Sequence, residues 1–154
     1  LTNDTSRVEG FLIDGLPYQT VRSRLHHYAS RLMRRGGWRR LFALDGPGVD
    51  LVANAHALPF DDGQFEVVVC TEMLEHDPAP WLSMPEMGRV LRAGGRLLLT
   101  TRGNGCSIHQ YPGDLWRFLP DSGPVLADLA GCDVVEVQED SLLPGIFLHG
   151  VKRG

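Results

Sequence analysis

The fold is decided by 65-FEVVVCTE-72 and 96-RLLLTTR-102, two apolar runs that each end in polar residues. The first run is short and rich in β-branched residues, which is typical of a buried strand. The second follows a helix-like segment, residues 80–92, that stops at a Gly-Gly pair. Strand, helix and strand of these lengths predict a right-handed βαβ unit, with Thr71-Glu72 and Thr101-Arg102 on one rim of a parallel sheet.

Length and composition predict a single compact domain over residues 1–154, with a basic helical segment at 1–40 and a sheet core at 41–154. The chain has 154 residues, of which 43% are hydrophobic and 22% charged, enough to bury a core without cross-links. Its three cysteines show no metal-ligand spacing and are expected to be small buried residues in a reduced, cytoplasmic setting. No apolar run has membrane-spanning length, so no membrane partner is expected.

Three blocks follow one another in a specific order: 54-NAHALPF-60, 65-FEVVVCTEMLEH-76 and 86-EMGRVLRAGGRL-97. In order and spacing they resemble the class I S-adenosylmethionine-dependent methyltransferases, in particular the type 11-like members. The resemblance implies a Rossmann-like, mostly parallel sheet flanked by helices, and methyl transfer to an acceptor that the sequence does not identify. Residues 133–137 and 146–151 are expected to form an antiparallel pair of strands at the C-terminal edge.

The glycine-rich GxGxG loop that follows the first strand in this family is missing or degenerate here, and two alternatives explain its absence. In one, residues 11–14 are the first strand, 20–35 the first crossover helix and 41–45 the second strand. In the other, which we favour because residues 16–18 lack glycine, the first strand-helix unit is deleted between residues 37 and 41. The deletion would leave an unpaired sheet edge and predicts a homodimer that completes the sheet.

The resemblance implies a site for S-adenosylmethionine at the strand ends. In the family an acidic residue at the end of the second strand binds the ribose diol, a small polar pair follows near the adenine, and the end of the fourth strand meets the methionine part. His76 either supports its loop through a backbone hydrogen bond or lines this pocket. The implied cofactor residues are Asp45, Gly46, Gly48, Asn54, Ala55, Thr71, Glu72 and His76.

A long polar and aromatic segment, residues 102–118, follows the fifth strand and is expected to cover the reactive end of the cofactor. His109 is the candidate general base, with Asp114 as its orienting partner and Tyr111 beside it. The candidate residues for acceptor binding are Arg102, Trp116 and Arg117. The alternative is structural: Asp114 pairs with Arg117, and Trp116 packs into the core.

Three functions remain open from the sequence: an active methyltransferase, a methyltransferase-like scaffold impaired in catalysis, and a polyanion-binding module. The third rests on a cluster of basic residues in a chain of net charge −4. No helix-turn-helix or RNA-binding signature accompanies this cluster, so nucleic acid is not the expected partner. Methyl transfer itself requires no metal, and none is expected. The cluster consists of Arg22, Arg24, Arg31, Arg34, Arg35, Arg39 and Arg40.

Overall fold

The computed structural model describes residues 10–14, 38–42, 51–109, 113–139 and 144–154. The strands in these ranges are β1 (Gly10–Asp14), β2 (Trp38–Phe42), β3 (Leu51–Val52), β4 (Phe65–Thr71), β5 (Leu91–Arg102), β6 (Cys132–Glu139) and β7 (Gly145–Lys152). The helices are α1 (Pro80–Val90) and α2 (Ser122–Leu129). Neither helix has the length and apolar character needed to cross a membrane.

The described strands form one sheet in the order β3-β2-β1-β4-β5-β7-β6. Strands β1 to β5 pair in parallel, and β7 runs antiparallel to both β5 and β6. The predicted βαβ unit is β4, α1 and β5, and the predicted C-terminal pair is β6 and β7. The Rossmann-like fold class is therefore confirmed.

The favoured deletion alternative is wrong, because β1 lies inside the sheet between β2 and β4. A buried strand needs partners for its backbone groups on both sides. β4 has β5 on one side, and β1 supplies the other side through the register from Gly10↔Val67 to Asp14↔Thr71. The described strands leave no gap between β2 and β4, which removes the reason for a homodimer that completes the sheet.

The first alternative places the opening strands correctly, although β2 spans Trp38–Phe42 and not residues 41–45. The sheet therefore includes strands that begin before residue 40, β1 and β2, as well as the strands after it. The proposed crossover helix at 20–35, with its basic cluster, and the loop after Asp14 lie outside the described residues. The expectations about them stay predictions.

β4 is buried on both faces, as expected of an inner parallel strand. One face, with Val68 and Cys70, joins the main core beneath the two helices. The opposite face, with Val67 and Val69, packs against Leu98 and Phe147. The pairing of β4 with β1 and β5 sets where its polar carboxyl end emerges.

The three cysteines are free thiols. Cys70 and Cys132 are buried, as expected, whereas Cys106 is half-buried. Burial raises the pKa of the Cys132 thiol, which keeps it protonated and unreactive at neutral pH.

Helix α1 covers the sheet with a face of positions spaced by three and four residues, which includes Met84, Met87 and Val90. Leu82 falls outside this spacing and is 49% exposed. The helix begins at Pro80, where a missing N–H costs nothing, and it also contains Pro85 beyond its first turn.

Gly88 has a packing role in α1, which explains a residue that is unfavourable inside a helix. A Cβ atom at this position would lie 1.9 Å from the carbonyl oxygen of Ala130, the residue that follows α2. The two helices therefore approach so closely that only glycine fits between them.

We predict that Gly88→Ala lowers the free energy of unfolding by about 1–3 kcal/mol, because the overpacking cost exceeds the gain in helix propensity of about 1 kcal/mol. Urea denaturation of both proteins measures the difference. Gly113→Ala is the matched control, since its Cβ would meet Leu115 at an ordinary 3.7 Å. A Gly88→Ala variant as stable as the parent would contradict the close approach.

Candidate functional site

The carboxyl ends of β1, β4 and β5 meet at one rim. Asp14 pairs in register with Thr71, and Thr71 with Thr100. The chain then turns sharply at Glu72, whose backbone N–H donates to the Thr100 carbonyl at 3.0 Å. Glu72 has a φ of 50°, a left-handed conformation that residues other than glycine rarely adopt. Such strain persists only where the surrounding structure enforces it, and it is common at functional sites.

The carboxylate of Glu72 forms an ion pair with the guanidinium of Arg102, at the end of the neighbouring strand. Both side chains are largely buried, so this pair ties the ends of β4 and β5 together at short range. Arg102 was a candidate for acceptor binding, and its guanidinium is directed to Glu72 in this structure.

Glu75 is the most deeply buried charged group of the rim, with no exposed surface. Its Oε2 atom accepts a hydrogen bond from the Thr101 hydroxyl at 2.8 Å. Its backbone carbonyl accepts from the N–H groups of Leu115, at 2.8 Å, and Trp116, at 3.2 Å. Its Oε1 atom receives no hydrogen bond from the described residues. Glu75 therefore joins the end of β5 to the segment after it, while its buried Oε1 atom remains without a hydrogen bond from the described residues.

Two histidine rings lie against Glu75. The Nδ1 atom of His76 contacts the carbonyl oxygen of Gly113, so the support role predicted for His76 is found. The Nε2 atom of His76 lies 3.1 Å from the Nε2 atom of His109. The ring centroids are 4.8 Å apart and the planes are nearly perpendicular at 83°. The fold thus brings His109 from its loop onto the rim.

Asp114 serves both of the roles that the sequence left open. Its carboxylate forms two contacts with the Arg117 guanidinium, one of them at 2.6 Å. The same carboxylate accepts a hydrogen bond from the backbone N–H of His109 at 2.9 Å. The Arg117 hydrogen bonds hold the pKa of Asp114 well below its usual range. Asp114 therefore remains ionised and positions His109 through the backbone.

We predict that Asp114→Asn destabilises the protein at neutral pH by about 1–3 kcal/mol, the usual worth of hydrogen bonds to a charged group. Because folding depresses the pKa of Asp114, the ion pair stabilises the protein above the unfolded-state value of about 3.9. That contribution is lost as the pH falls from there through the folded-state value. Urea denaturation at pH 7 and pH 3 should show a difference that shrinks in acid.

The matched control for this experiment is Asp128→Asn, which removes an exposed ion pair with Arg153. The Asp128 side chain is 76% exposed, so solvent screens its pair and a change of less than about 0.5 kcal/mol is expected. A difference for Asp114→Asn that is the same at both pH values would show that the ion pair is not its cause.

The loop carrying Asn54 and Ala55 is fixed to α1 by a network that the sequence did not predict. The Arg89 guanidinium donates to the carbonyl oxygens of Leu58, at 2.9 Å, and Phe60, at 2.8 Å. Glu86 accepts from the Leu58 N–H at 2.8 Å and pairs with Arg89. The hydrogen bonding of the Arg89 guanidinium to the Glu86 carboxylate is the main reason that the pKa of Arg89 is raised. The only sequence signal was an acid and a base three residues apart on one helix.

Within this loop the Asn54 side chain forms a local turn, its Oδ1 atom accepting from the His56 N–H at 2.9 Å. Asn54 is exposed and Ala55 is half-buried. The His56 ring reaches Asp77, with 2.6 Å between Nε2 and Oδ1. Asp77 also accepts from the Ser83 hydroxyl at 2.5 Å, which connects the loop to α1.

The aromatic part of the predicted acceptor region borders the same rim. The Trp116 indole N–H donates to the Asp77 carbonyl at 2.7 Å, and the ring packs edge-on against Trp81 with centroids 6.3 Å apart. Trp116 is 40% exposed, so it is not the buried core residue of the structural alternative. Phe118, by contrast, is partly buried against the core.

Of the predicted site residues, the structure gathers Thr71, Glu72, His76, His109 and Asp114 on one rim. Arg102, Trp116 and Arg117 border it through the contacts given above. Four candidates lie outside the described residues: Asp45, Gly46, Gly48 and Tyr111. Sequence reasoning missed Glu75, although the polar run that follows β4 was a signal for it.

Comparison with known proteins relates the central part of the chain to methyltransferases. A family model described as a methyltransferase domain matches residues 39–99. The 27-O-demethylrifamycin SV methyltransferase of Amycolatopsis mediterranei is 47% identical over 47 residues, which are 30% of this chain and 17% of that protein. The ubiquinone biosynthesis O-methyltransferase of Aeromonas salmonicida is 40% identical over 70 residues, 42% of this chain and 29% of that protein. This chain therefore spans less than a third of the curated relatives it matches.

Solved structures show the same fold over almost the whole chain. One is the Burkholderia thailandensis 1,6-didemethyltoxoflavin-N1-methyltransferase, with bound 1,6-didemethyltoxoflavin and S-adenosylhomocysteine. Its TM-score is 0.69 at 16% identity, and the match covers 97% of this chain and 73% of that one. At this identity the likeness concerns the fold alone.

Proposed function

We propose that this chain is a class I S-adenosylmethionine-dependent methyltransferase, which binds that cofactor at the rim and transfers its methyl group to an acceptor. The observation that carries the proposal is the strand order. β1 and β4 are neighbours, and the strand that follows each in the chain lies on the opposite side: β2 beside β1, and β5 beside β4. The ends of β1 and β4 are therefore the switch point of the sheet. Ligands of open α/β sheets bind in the crevice at that point.

On the cofactor side, the proposal assigns the methionine part to the end of β4, at Thr71 and Glu72. The register that brings Asp14 beside Thr71 supports this assignment, because it places one acidic residue, Asp14, next to the strand end that is followed by another, Glu72. The adenosine part would reach the loop with Asn54 and Ala55, which the Arg89 network holds in place. The ribose would meet Asp45, Gly46 and Gly48 after β2.

On the acceptor side, His109 is the proposed general base, with Asp114 as its positioning residue and Tyr111 beside it. The acceptor gives its proton to His109 and forms a bond to the methyl carbon, while the carbon–sulfur bond of the cofactor breaks and S-adenosylhomocysteine leaves. The protein must hold the reacting atoms in line at about 3–3.5 Å and exclude water. Trp116, exposed beside the rim, is suited to cover a flat acceptor.

A scaffold impaired in cofactor binding is the second candidate function, and one observation favours it. Asp14 ends β1, but the sequence continues with a single glycine and then Leu16-Pro17. Side chains at these positions would hinder the close backbone approach that a glycine-rich loop allows.

We predict that S-adenosylmethionine and S-adenosylhomocysteine bind saturably with one site per chain in a calorimetric titration. Asp45→Ala and Glu72→Gln should each weaken binding by about tenfold or more, the loss expected when a charged hydrogen-bond partner of about 1.5–3 kcal/mol is removed. Asp128→Asn, far from the rim, should leave the affinity unchanged.

The same titration decides between the two candidate functions. A folded sample that binds neither ligand at millimolar concentration would exclude the enzyme and leave the scaffold. The oligomeric state, measured on that sample by light scattering, tests the homodimer prediction independently of its original sheet-completion argument.

A further inference from the structure

Three potential metal ligands converge at the rim although the sequence shows no metal-ligand spacing. They are the Oε1 atom of Glu75 and the Nε2 atoms of His76 and His109. The two nitrogens are 3.1 Å apart, and the oxygen lies 3.9 Å from the first and 3.8 Å from the second. A triangle with these sides has a centre about 2.1 Å from every corner, which is the length of zinc–nitrogen and zinc–oxygen bonds in proteins.

The contacts of the two Nδ1 atoms favour a tautomer in which the Nε2 lone pair of each ring points towards this centre. His76 Nδ1 contacts the Gly113 carbonyl, which only accepts, so the ring proton lies on Nδ1. His109 Nδ1 lies 3.4 Å from the Ser107 carbonyl and 3.6 Å from Asp114 Oδ2, which are also acceptors. With the proton on Nδ1 of both neutral rings, the lone pairs of the two Nε2 atoms face each other at 3.1 Å. Two lone pairs in this position repel unless a cation lies between them.

The charges around the cluster leave one carboxylate with only a distant counterion among the described residues. Arg102 pairs closely with Glu72, and Arg117 pairs with Asp114. The Arg102 Nε atom lies 4.0 Å from the Oε1 atom of Glu75, and that oxygen receives no hydrogen bond from the described residues. A fully buried, ionised carboxylate is costly unless it is paired or coordinates a metal.

We propose that Glu75, His76 and His109 bind one divalent first-row transition-metal ion. Two imidazoles and one carboxylate suit ions such as Zn²⁺, Co²⁺ or Fe²⁺ better than Mg²⁺, which prefers oxygen ligands only. The contacts of the histidine Nδ1 atoms with a carbonyl and a carboxylate are the outer contacts that metal-bound histidines usually make. Three protein ligands leave coordination positions open for water or another molecule.

The ion changes the part that His109 plays in the proposed methyl transfer, and this step rests on the proposed function. With Nε2 bound to metal, His109 is a ligand and no longer a base. An acceptor hydroxyl in an open position would lose its proton to solvent, because a bound cation lowers the pKa of such a group. Its oxygen then forms the bond to the methyl carbon as the carbon–sulfur bond breaks.

The test is metal binding by the full chain in the absence of S-adenosylmethionine, so that it fails or succeeds independently of the proposed function. Protein stripped with a chelator is titrated with Co²⁺ and Zn²⁺, and bound metal is counted by elemental analysis. We expect one ion per chain, a visible absorption band with Co²⁺ that Zn²⁺ displaces, and a higher Tm with metal present.

Variants of the three ligands separate this site from adventitious binding. Glu75→Gln, His76→Gln and His109→Gln should each weaken binding by more than about 100-fold, beyond the 10- to 100-fold typical of losing an outer-shell contact. His149→Gln and the double variant His26→Gln/His27→Gln remove other histidines and should bind as the parent does. Circular dichroism confirms that each variant is folded.

Two results would overturn the proposal. One is a folded parent protein that binds no Co²⁺ or Zn²⁺, which would mean that a shared proton joins His76 and His109. The other is one-equivalent binding that persists in a folded His76→Gln/His109→Gln variant, which would place the metal elsewhere.

Discussion

The buried carboxylate and carbonyl of Glu75 are the constraint on which the candidate site depends. The side chain holds the Thr101 hydroxyl at the end of β5, and the backbone carbonyl holds the N–H groups of Leu115 and Trp116 in the following segment. These bonds are one of the attachments of the segment carrying Asp114 and Trp116, beside the Phe118 N–H, which donates to the Arg102 carbonyl at 2.8 Å. A group so deeply buried is tolerated only when its hydrogen-bonding capacity is used, which makes its uncommitted Oε1 atom the most informative atom of the rim.

Much of the fold was readable from local patterns. The apolar run at 65–70 had one plausible structure, a buried strand, and the antiparallel pair at the C-terminus followed from two further runs. The first strand was misjudged because Gly10–Asp14 carries little signal by itself. Its place in the sheet comes from β4, whose backbone groups need a partner along residues 67–71. That requirement is tertiary, and no propensity in a five-residue segment reports it.

The candidate site was predictable to the extent that it follows strand ends. Thr71, Glu72 and Arg102 were expected at one rim, and parallel pairing brings them there. The contact between His76 and His109 was not predictable, because 33 residues separate them and the loop path between decides whether they meet. Glu75 was overlooked for a related reason: a glutamate after a strand is usually solvated, and only the folded chain shows that this one is enclosed.

The position of the histidine pair links cofactor and acceptor chemistry. Glu72 and Glu75 both follow β4 in the chain, yet their carboxylates differ in environment. Glu72 is neutralised by Arg102, so a cationic sulfonium would meet a balanced pair there and would be held by shape and hydrogen bonds more than by net charge. The charge left for the reaction is that of Glu75, which lies beside the His109 Nε2 atom. Whatever cation occupies that position, a proton or a metal ion, would set the polarity felt by the acceptor in the proposed reaction. In the proposed reaction, the rim therefore separates the carboxylate assigned to the methyl donor, Glu72, from the one beside the acceptor, Glu75, although both follow the same strand.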